Sequence, residues 1–179
     1  MWQNSTEGWG ALSKSLHWLI AVLIAVQVVL GGIASDLKLS PLKLDLFVWH
    51  KSIGMLVLLL VLLRLGWRLG QPVPRPAEVS PLLRRLAALT HFLLYGLLLL
   101  IPLSGWVVNS AAGIPLKLFW LVPLPDITAA DDALKESAAE VHEVAVALLL
   151  ALLALHVAAA LWHQFVRRDG ILRRMWFGG

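Results

Sequence analysis

The sequence predicts an all-α membrane protein, a bundle of four transmembrane helices. Apolar residues make up 59% of the 179 residues, against roughly 45–50% in soluble domains. They concentrate in four long runs, each near the roughly 20 residues that cross a hydrocarbon core. We therefore expect one domain, 1–179, with helices over about 15–35, 47–68, 86–108 and 139–166.

The first apolar run follows Lys14 and has His17 near its start. Lys14, the run and the small residues at 32–34 also fit a cleaved signal peptide. The run is long for the apolar part of such a signal, however, and a pairing of His17 with a later histidine gives that residue a role. We interpret the run as the first membrane span.

The later helices differ mainly in how they are connected. The second begins near His50, and residues 68–85 after it contain four prolines, which forbid a continuous helix. The third begins near His91. The connector 109–140 has an apolar middle, PLKLFWLVPLP, that is too short to span and is expected to lie at the membrane interface. The fourth helix carries His142, His156 and His163.

The basic residues predict the orientation of the bundle. The connector between Asn109 and Glu140 contains two lysines and five acidic residues. Basic residues dominate the second connector, with Arg64, Arg68, Arg75, Arg84 and Arg85 against Glu78. They also dominate the C-terminal tail, with Arg167, Arg168, Arg173 and Arg174 against Asp169. The positive-inside rule then places both termini and the second connector in the cytoplasm. The net charge of +4 thus indicates topology, and we expect no nucleic-acid partner.

The chain has no cysteine. This excludes disulfides, cysteine-ligated iron–sulfur clusters and the covalent attachment of c-type haem. Any haem must be held non-covalently, and six histidines remain as ligands for a transition metal. A histidine within a membrane span is costly, so it is expected to have a partner or a function.

The spacing of two histidines on the fourth helix predicts two metal sites. His142 and His156 are 14 residues apart, so at about 100° per residue they point to the same side, roughly 21 Å apart along the axis. One helix thus offers one ligand to each of two stacked haems.

The opposite ligands follow from depth in the membrane. His50 matches His142 at the outer side, and His17 matches His156 at the inner side, although His163 matches His17 equally well on depth alone. Two histidines close both axial positions of a haem, which favours electron transfer over oxygen binding. We expect two non-covalent b haems.

Several motifs resemble those of the bacterial cytochrome b561 family, the four-helix di-haem type. They cover nearly the whole chain and read SLHW at 15–18, HKSIG at 50–54, LLRLGWRL at 62–69, PLSGW at 102–106, EVHE at 140–143 and ALHVAAALWHQFVRRDGILRRM at 154–175. The resemblance implies that His17, His50, His142 and His156 are the haem ligands, which favours His156 over His163.

The resemblance also implies electron exchange with ubiquinone in the bacterial inner membrane. We expect a superoxide:ubiquinone oxidoreductase that passes electrons from the outer haem to the inner haem and then to quinone. The alternative is a non-catalytic cytochrome b anchor that relays electrons between quinone and a periplasmic dehydrogenase or hydrogenase. A haem-free transporter or structural bundle lacks support, because the helices contain no paired acids.

The remaining polar residues have secondary expected roles. His163 lies about 10 Å beyond His156 on the same face and is expected to donate a hydrogen bond to a quinone carbonyl. His91 is either an interfacial residue or a neighbour of haem or quinone. Gly54 would let a porphyrin approach the second helix. Cations expected near haem propionates are Arg68, Arg84, Arg85 and Lys51, and those expected to attract superoxide are Lys51, Lys117 and Lys135.

Overall fold

The computed structural model describes residues 1–74 and 80–177. Arg75 and Glu78, which entered the charge count, lie outside this part. The described residues form four long helices: α1 Ala11–Asp36, α2 Pro41–Leu69, α3 Pro81–Ala111 and α4 Asp132–Trp162. Each is long and apolar enough to cross a membrane, so the predicted four-helix membrane bundle is confirmed.

Helices α2, α3 and α4 begin earlier than the apolar runs indicate, because polar caps start them outside the predicted spans. The side chains of Ser40, Ser80 and Asp131 each accept a backbone N–H from the first turn of α2, α3 and α4. Pro41 and Pro81 occupy the first helical positions, where a missing N–H costs nothing. Polar residues thus add several residues to the start of each of these helices.

Packing follows chain order. α1 packs on α2, α2 on α3 and α3 on α4, and a small core forms around Ile20, Val57 and Val61. Most other apolar side chains point outward, as lipid-facing residues do; Leu59 and Leu148 are both 53% exposed. Among the described residues, α4 does not pack along its length against α1 or α2. Side chains therefore have to connect α4 to these two helices.

Between α3 and α4 the chain forms a two-stranded antiparallel hairpin, β1 Leu116–Leu118 and β2 Val122–Leu124. The Phe119 N–H donates to Ser52 Oγ at 2.8 Å, and the Trp49 ring lies 5.6 Å from the rings of Phe119 and Trp120. The predicted interfacial segment is therefore a hairpin attached to the start of α2, a feature that apolar patterning missed. We call this side of the bundle the hairpin end.

At the opposite side, the termini end, the chain turns back after α4. A π-helical turn, His163–Arg167, continues α4, and a 3₁₀ turn, Leu172–Met175, follows. Lys14 Nζ donates to the Trp176 carbonyl at 2.8 Å, and Trp18 Nε1 donates to the Met175 carbonyl at 2.9 Å. We call residues 170–177 the C-terminal clasp, because they connect the end of α4 to the start of α1.

Candidate functional site

One histidine pair lies at the hairpin end. The rings of His50 on α2 and His142 on α4 have centroids 6.4 Å apart and planes inclined at 70°. An imidazole nitrogen binds a first-row metal ion at about 2 Å and lies about 1 Å from its ring centroid, so two rings that share one ion have centroids roughly 6 Å apart. The separation of this pair fits one iron held between the two rings.

A second pair lies at the termini end. The rings of His17 on α1 and His156 on α4 are also 6.4 Å apart, with planes inclined at 74°. The structure thus places His156, and not His163, opposite His17. The two pairs connect α4 to α2 and to α1, helices that α4 does not pack against along its length in the described part of the chain. The four histidines therefore fit flat groups inserted between α4 and these two helices.

The hydrogen bonds of His142 set its tautomer. Its Nδ1 lies 2.9 Å from the Ile101 carbonyl and 3.2 Å from Ser104 Oγ. A carbonyl only accepts, so Nδ1 carries the proton and Nε2 keeps the lone pair that binds a metal. Sequence reasoning missed both partners, although Ser104 belongs to the PLSGW motif.

Glycines on neighbouring helices make room for the rings at the hairpin end. A Cβ at Gly31 of α1 would lie 3.0 Å from His50 Cε1, and a Cβ at Gly105 of α3 would lie 3.3 Å from His142 Cε1. Gly54, which was expected to let a porphyrin approach α2, borders Gln27: a Cβ there would lie 2.9 Å from the amide nitrogen of Gln27. Gly31 and Gly105 are the glycines that border the pair.

Gln27 on α1 connects this pair to its surroundings. Its amide nitrogen donates to the His50 carbonyl at 2.8 Å. In the part of the chain that the structure describes, its Oε1 and the His50 Nδ1 are buried without a hydrogen-bond partner. Buried polar atoms are normally satisfied, so the hairpin-end pair retains capacity to bind a polar group.

At the termini end the pair has two further polar neighbours. The His91 ring on α3 lies 5.5 Å from the His156 ring, so His91 belongs to this site. Arg64 on α2 donates from Nε to Tyr95 Oη at 2.9 Å and from Nη1 to the Ser13 carbonyl at 3.5 Å. Sequence reasoning counted Arg64 only as a topology signal, since its direction depends on how three helices pack.

Other expected cations have different partners. Arg68 stacks over the Trp9 ring at 5.6 Å, and Lys51 Nζ donates to Asn109 Oδ1 at 2.6 Å. Lys135, expected with Lys51 and Lys117 to attract superoxide, forms an exposed ion pair with Asp132. The other cations that were expected near anions are exposed: Arg84, Arg85 and Lys117.

His163 begins the π-helical turn and has a carboxylate partner. Its Nδ1 lies 2.5 Å from Asp169 Oδ2, and Arg167 Nε lies 3.6 Å from the same oxygen. Burial opposes ionisation of Asp169, but its hydrogen bonds with His163 and the Ile171 N–H and the nearby charge of Arg167 lower its pKa. The ionised carboxylate therefore holds Nδ1 and leaves Nε2 of His163 for a ligand.

An open cleft of about 310 Å³ adjoins this turn. Its lining residues are Gln164, Phe165, Arg168, Gly170 and Arg173. Ligand pockets begin at roughly this size, and the cleft borders the residue that follows His163. The sequence indicated none of this, because the cleft depends on the reversal at Arg168, whose φ is 56°.

Comparison with known proteins agrees with the fold of four membrane-spanning helices. A family model described as prokaryotic cytochrome b561 matches residues 8–178. Cytochrome b561 homolog 2 of Escherichia coli is 31% identical, over 96% of this chain and 93% of that protein. The probable superoxide oxidase CybB of Yersinia pestis is 27% identical (93% and 94%), and cytochrome b562 of Cereibacter sphaeroides is 28% identical (94% of each).

Proposed function

The chain belongs to the prokaryotic cytochrome b561 family of membrane electron carriers, and on that premise we propose that it is a di-haem superoxide:ubiquinone oxidoreductase. Haem b binding is inherent to the family, and the chain is a multi-pass bacterial membrane protein. The proposal adds two haems, both termini in the cytoplasm, the inner membrane as location, superoxide as electron donor and ubiquinone as acceptor.

The observation that carries the proposal is the repeated ring separation. Two histidine pairs, at opposite ends of α4, have the same 6.4 Å between centroids. We assign His50 and His142 as ligands of the outer haem and His17 and His156 as ligands of the inner haem. When bound, haem supplies one-electron redox chemistry, and two imidazoles leave its iron no open position for oxygen.

The protein residues orient these ligands. The Ile101 carbonyl and Ser104 fix the His142 ring, while Gly31 and Gly105 border the two outer rings. Trp49, Phe119 and Ser52 attach the hairpin to the outer end of α2. These contacts support a preformed outer site.

The acceptor site is proposed at the inner side, around His163. The carboxylate of Asp169 accepts from Nδ1–H of His163 and compensates the charge of its imidazolium form, and in that form Nε2–H donates to a quinone carbonyl. The adjoining cleft supplies space of the right order for a quinone ring. Two electrons and two protons convert the quinone to the quinol, and the cytoplasm supplies the protons.

Superoxide is the proposed donor because one relative is named as a probable superoxide oxidase. The relay function remains the second candidate, since the outward face of the hairpin favours a protein partner: Leu121 is 80% exposed and Trp120 47%. Exposed apolar surface of this kind is typical of interaction sites.

Haem content tests the ligand assignment. We expect about two haems per purified chain and about one in His50→Leu or His17→Leu, because the loss of one axial ligand removes one bis-histidine site. His163→Leu is the matched control and is expected to keep both haems. A ratio of two that survives in His142→Leu would contradict the assignment.

Quinone reduction tests the donor. The purified chain is supplied with superoxide and a water-soluble ubiquinone, and we expect one quinol for every two superoxide ions oxidised to oxygen. An absence of quinol in a sample that carries both haems would refute the oxidase. Co-purification of a periplasmic dehydrogenase with such a sample would instead favour the relay.

A further inference from the structure

Arg64 is a cation that lies within a membrane span. It lies in α2, and among the described residues its side chain donates only to neutral groups, Tyr95 Oη and the Ser13 carbonyl. No carboxylate in residues 1–74 or 80–177 lies within ion-pair distance of it. An arginine in a membrane is costly unless a partner compensates its charge.

The surroundings of Arg64 place it beside the termini-end histidines. Ser13 lies one turn before His17 on α1, and Tyr95 lies one turn after His91 on α3. The guanidinium therefore reaches from α2 to positions next to both histidines, and His91 itself contacts His156. Three helices hold the cation at the edge of the pair formed by His17 and His156.

We infer that Arg64 is the counter-charge for a carboxylate at the termini-end site, a propionate of the haem held by His17 and His156. The inference rests on the proposed function and deepens it. Tyr95 and Ser13 engage Nε and Nη1, and among the described residues Nη2 has no partner. A guanidinium binds carboxylate oxygens more strongly than neutral acceptors, and haem b brings two carboxylates.

This pairing affects the redox balance of the site. Ferric haem carries one more positive charge than ferrous haem, so a nearby cation favours the reduced form. A propionate left without its cation would favour the oxidised form. Both effects have the same sign, and Arg64 therefore makes the inner haem a better electron acceptor.

Redox titration of the full-length protein tests the inference. In Arg64→Gln we expect the ratio of reduced to oxidised inner haem at a fixed potential to fall about tenfold, which is about 59 mV for one electron. Arg68→Gln is the matched control, because it removes a cation one turn further along α2 that stacks on Trp9. It is expected to change the ratio less than about twofold.

Two backgrounds assign the effect to one haem. In His50→Leu, which should retain only the inner haem, Arg64→Gln must shift the remaining component. In His17→Leu, which should retain only the outer haem, Arg64→Gln must leave the redox potential of that haem unchanged. A shift of equal size in Arg68→Gln, or no shift in Arg64→Gln, overturns the inference. An unshifted redox potential in Arg64→Gln is also expected if the guanidinium binds a lipid phosphate and not a haem propionate.

Loss of haem is decisive as well. If Arg64→Gln loses the inner haem, Arg64→Lys is expected to keep both haems because it retains the charge, and loss in both variants contradicts the inference. A wild-type protein without two titrating haems refutes the proposed function itself. Two wild-type haems with an unaffected Arg64→Gln refute only the role of Arg64.

Discussion

At the scale of single residues, two adjacent glycines of α1 offer a direct test of the outer site. A Cβ at Gly31 would lie 3.0 Å from His50 Cε1, whereas a Cβ at Gly32 meets no atom within 4 Å. Gly31→Ala must displace the ring, and such overpacking costs about 1–3 kcal/mol. We expect binding of the outer haem to weaken by at least about fivefold, measured by haem titration of the apoprotein.

Gly32→Ala is the control for this substitution. An alanine in a helix is more favourable than a glycine by up to about 1 kcal/mol, so we expect unchanged haem binding and unchanged or increased stability. Equal losses of haem in the two variants would show that helix composition, and not contact with His50, determines binding.

Asp169 provides a second residue-scale prediction. Asp169→Asn removes the carboxylate that holds His163 Nδ1, so the ring loses its fixed orientation. We expect the KM for quinone to rise about three- to tenfold while the haem spectrum stays the same. Glu7 is exposed at the termini end, so Glu7→Gln is the control and should leave the KM for quinone unaltered. An unchanged KM in Asp169→Asn would argue against a quinone site at His163.

Residue positions were predictable from the sequence where they depend on spacing along one helix or on depth in the membrane. The interval between His142 and His156 predicts that both rings share a face of α4. In the structure the centroid of each ring lies 6.4 Å from that of a histidine on another helix, His50 or His17. Arg64, Gly31 and Asp169 gave no such signal. Their roles depend on the rotation of neighbouring helices or on a chain reversal, which spacing along one helix does not define.

At the scale of elements, the hairpin depends on Ser52. This side chain is fully buried, and its Oγ accepts the Phe119 N–H while it donates to the Val48 carbonyl. Ser52→Ala leaves the part-buried Phe119 N–H without its acceptor, at a cost of about 1 kcal/mol. We expect faster amide hydrogen exchange over residues 116–124, measured by mass spectrometry.

Ser137→Ala is the control for the hairpin. Its hydroxyl is exposed on α4 and bonds only within its own helix, so exchange in the hairpin should stay at the wild-type rate. If both variants leave exchange unchanged, Ser52 does not hold the hairpin in place.

The sequence predicted elements better than their ends. Apolar runs located all four helices because burial in lipid requires continuous hydrophobicity. Their starts were missed because caps such as Ser40 and Asp131 act through local hydrogen bonds. The hairpin was missed as well, since its turn places Phe119 and Trp120 at positive φ, 48° and 62°, a conformation that aromatic residues rarely adopt. Contacts with Trp49 hold these two rings.

At the scale of the whole molecule, the absence of cysteine allows a test of orientation. Single cysteines are introduced at exposed positions, Lys38 and Lys117 at the hairpin end and Arg84 at the start of α3. Because basic connectors stay in the cytoplasm, we expect a membrane-impermeant maleimide to label the first two in intact spheroplasts. Arg84→Cys should react only after the membrane is opened, and the reverse pattern would invert the proposed topology.

The C-terminal clasp has a consequence for biogenesis. α1 to α4 pack in chain order, whereas α1 and α4 are joined through Lys14, Trp18 and the clasp that follows α4. Residues 170–177 leave the ribosome after all four helices, so this connection forms only once they have been synthesised. Until then α1 lacks these hydrogen bonds to the chain that follows α4, so we expect the gap between the two helices to admit a large flat group from the side.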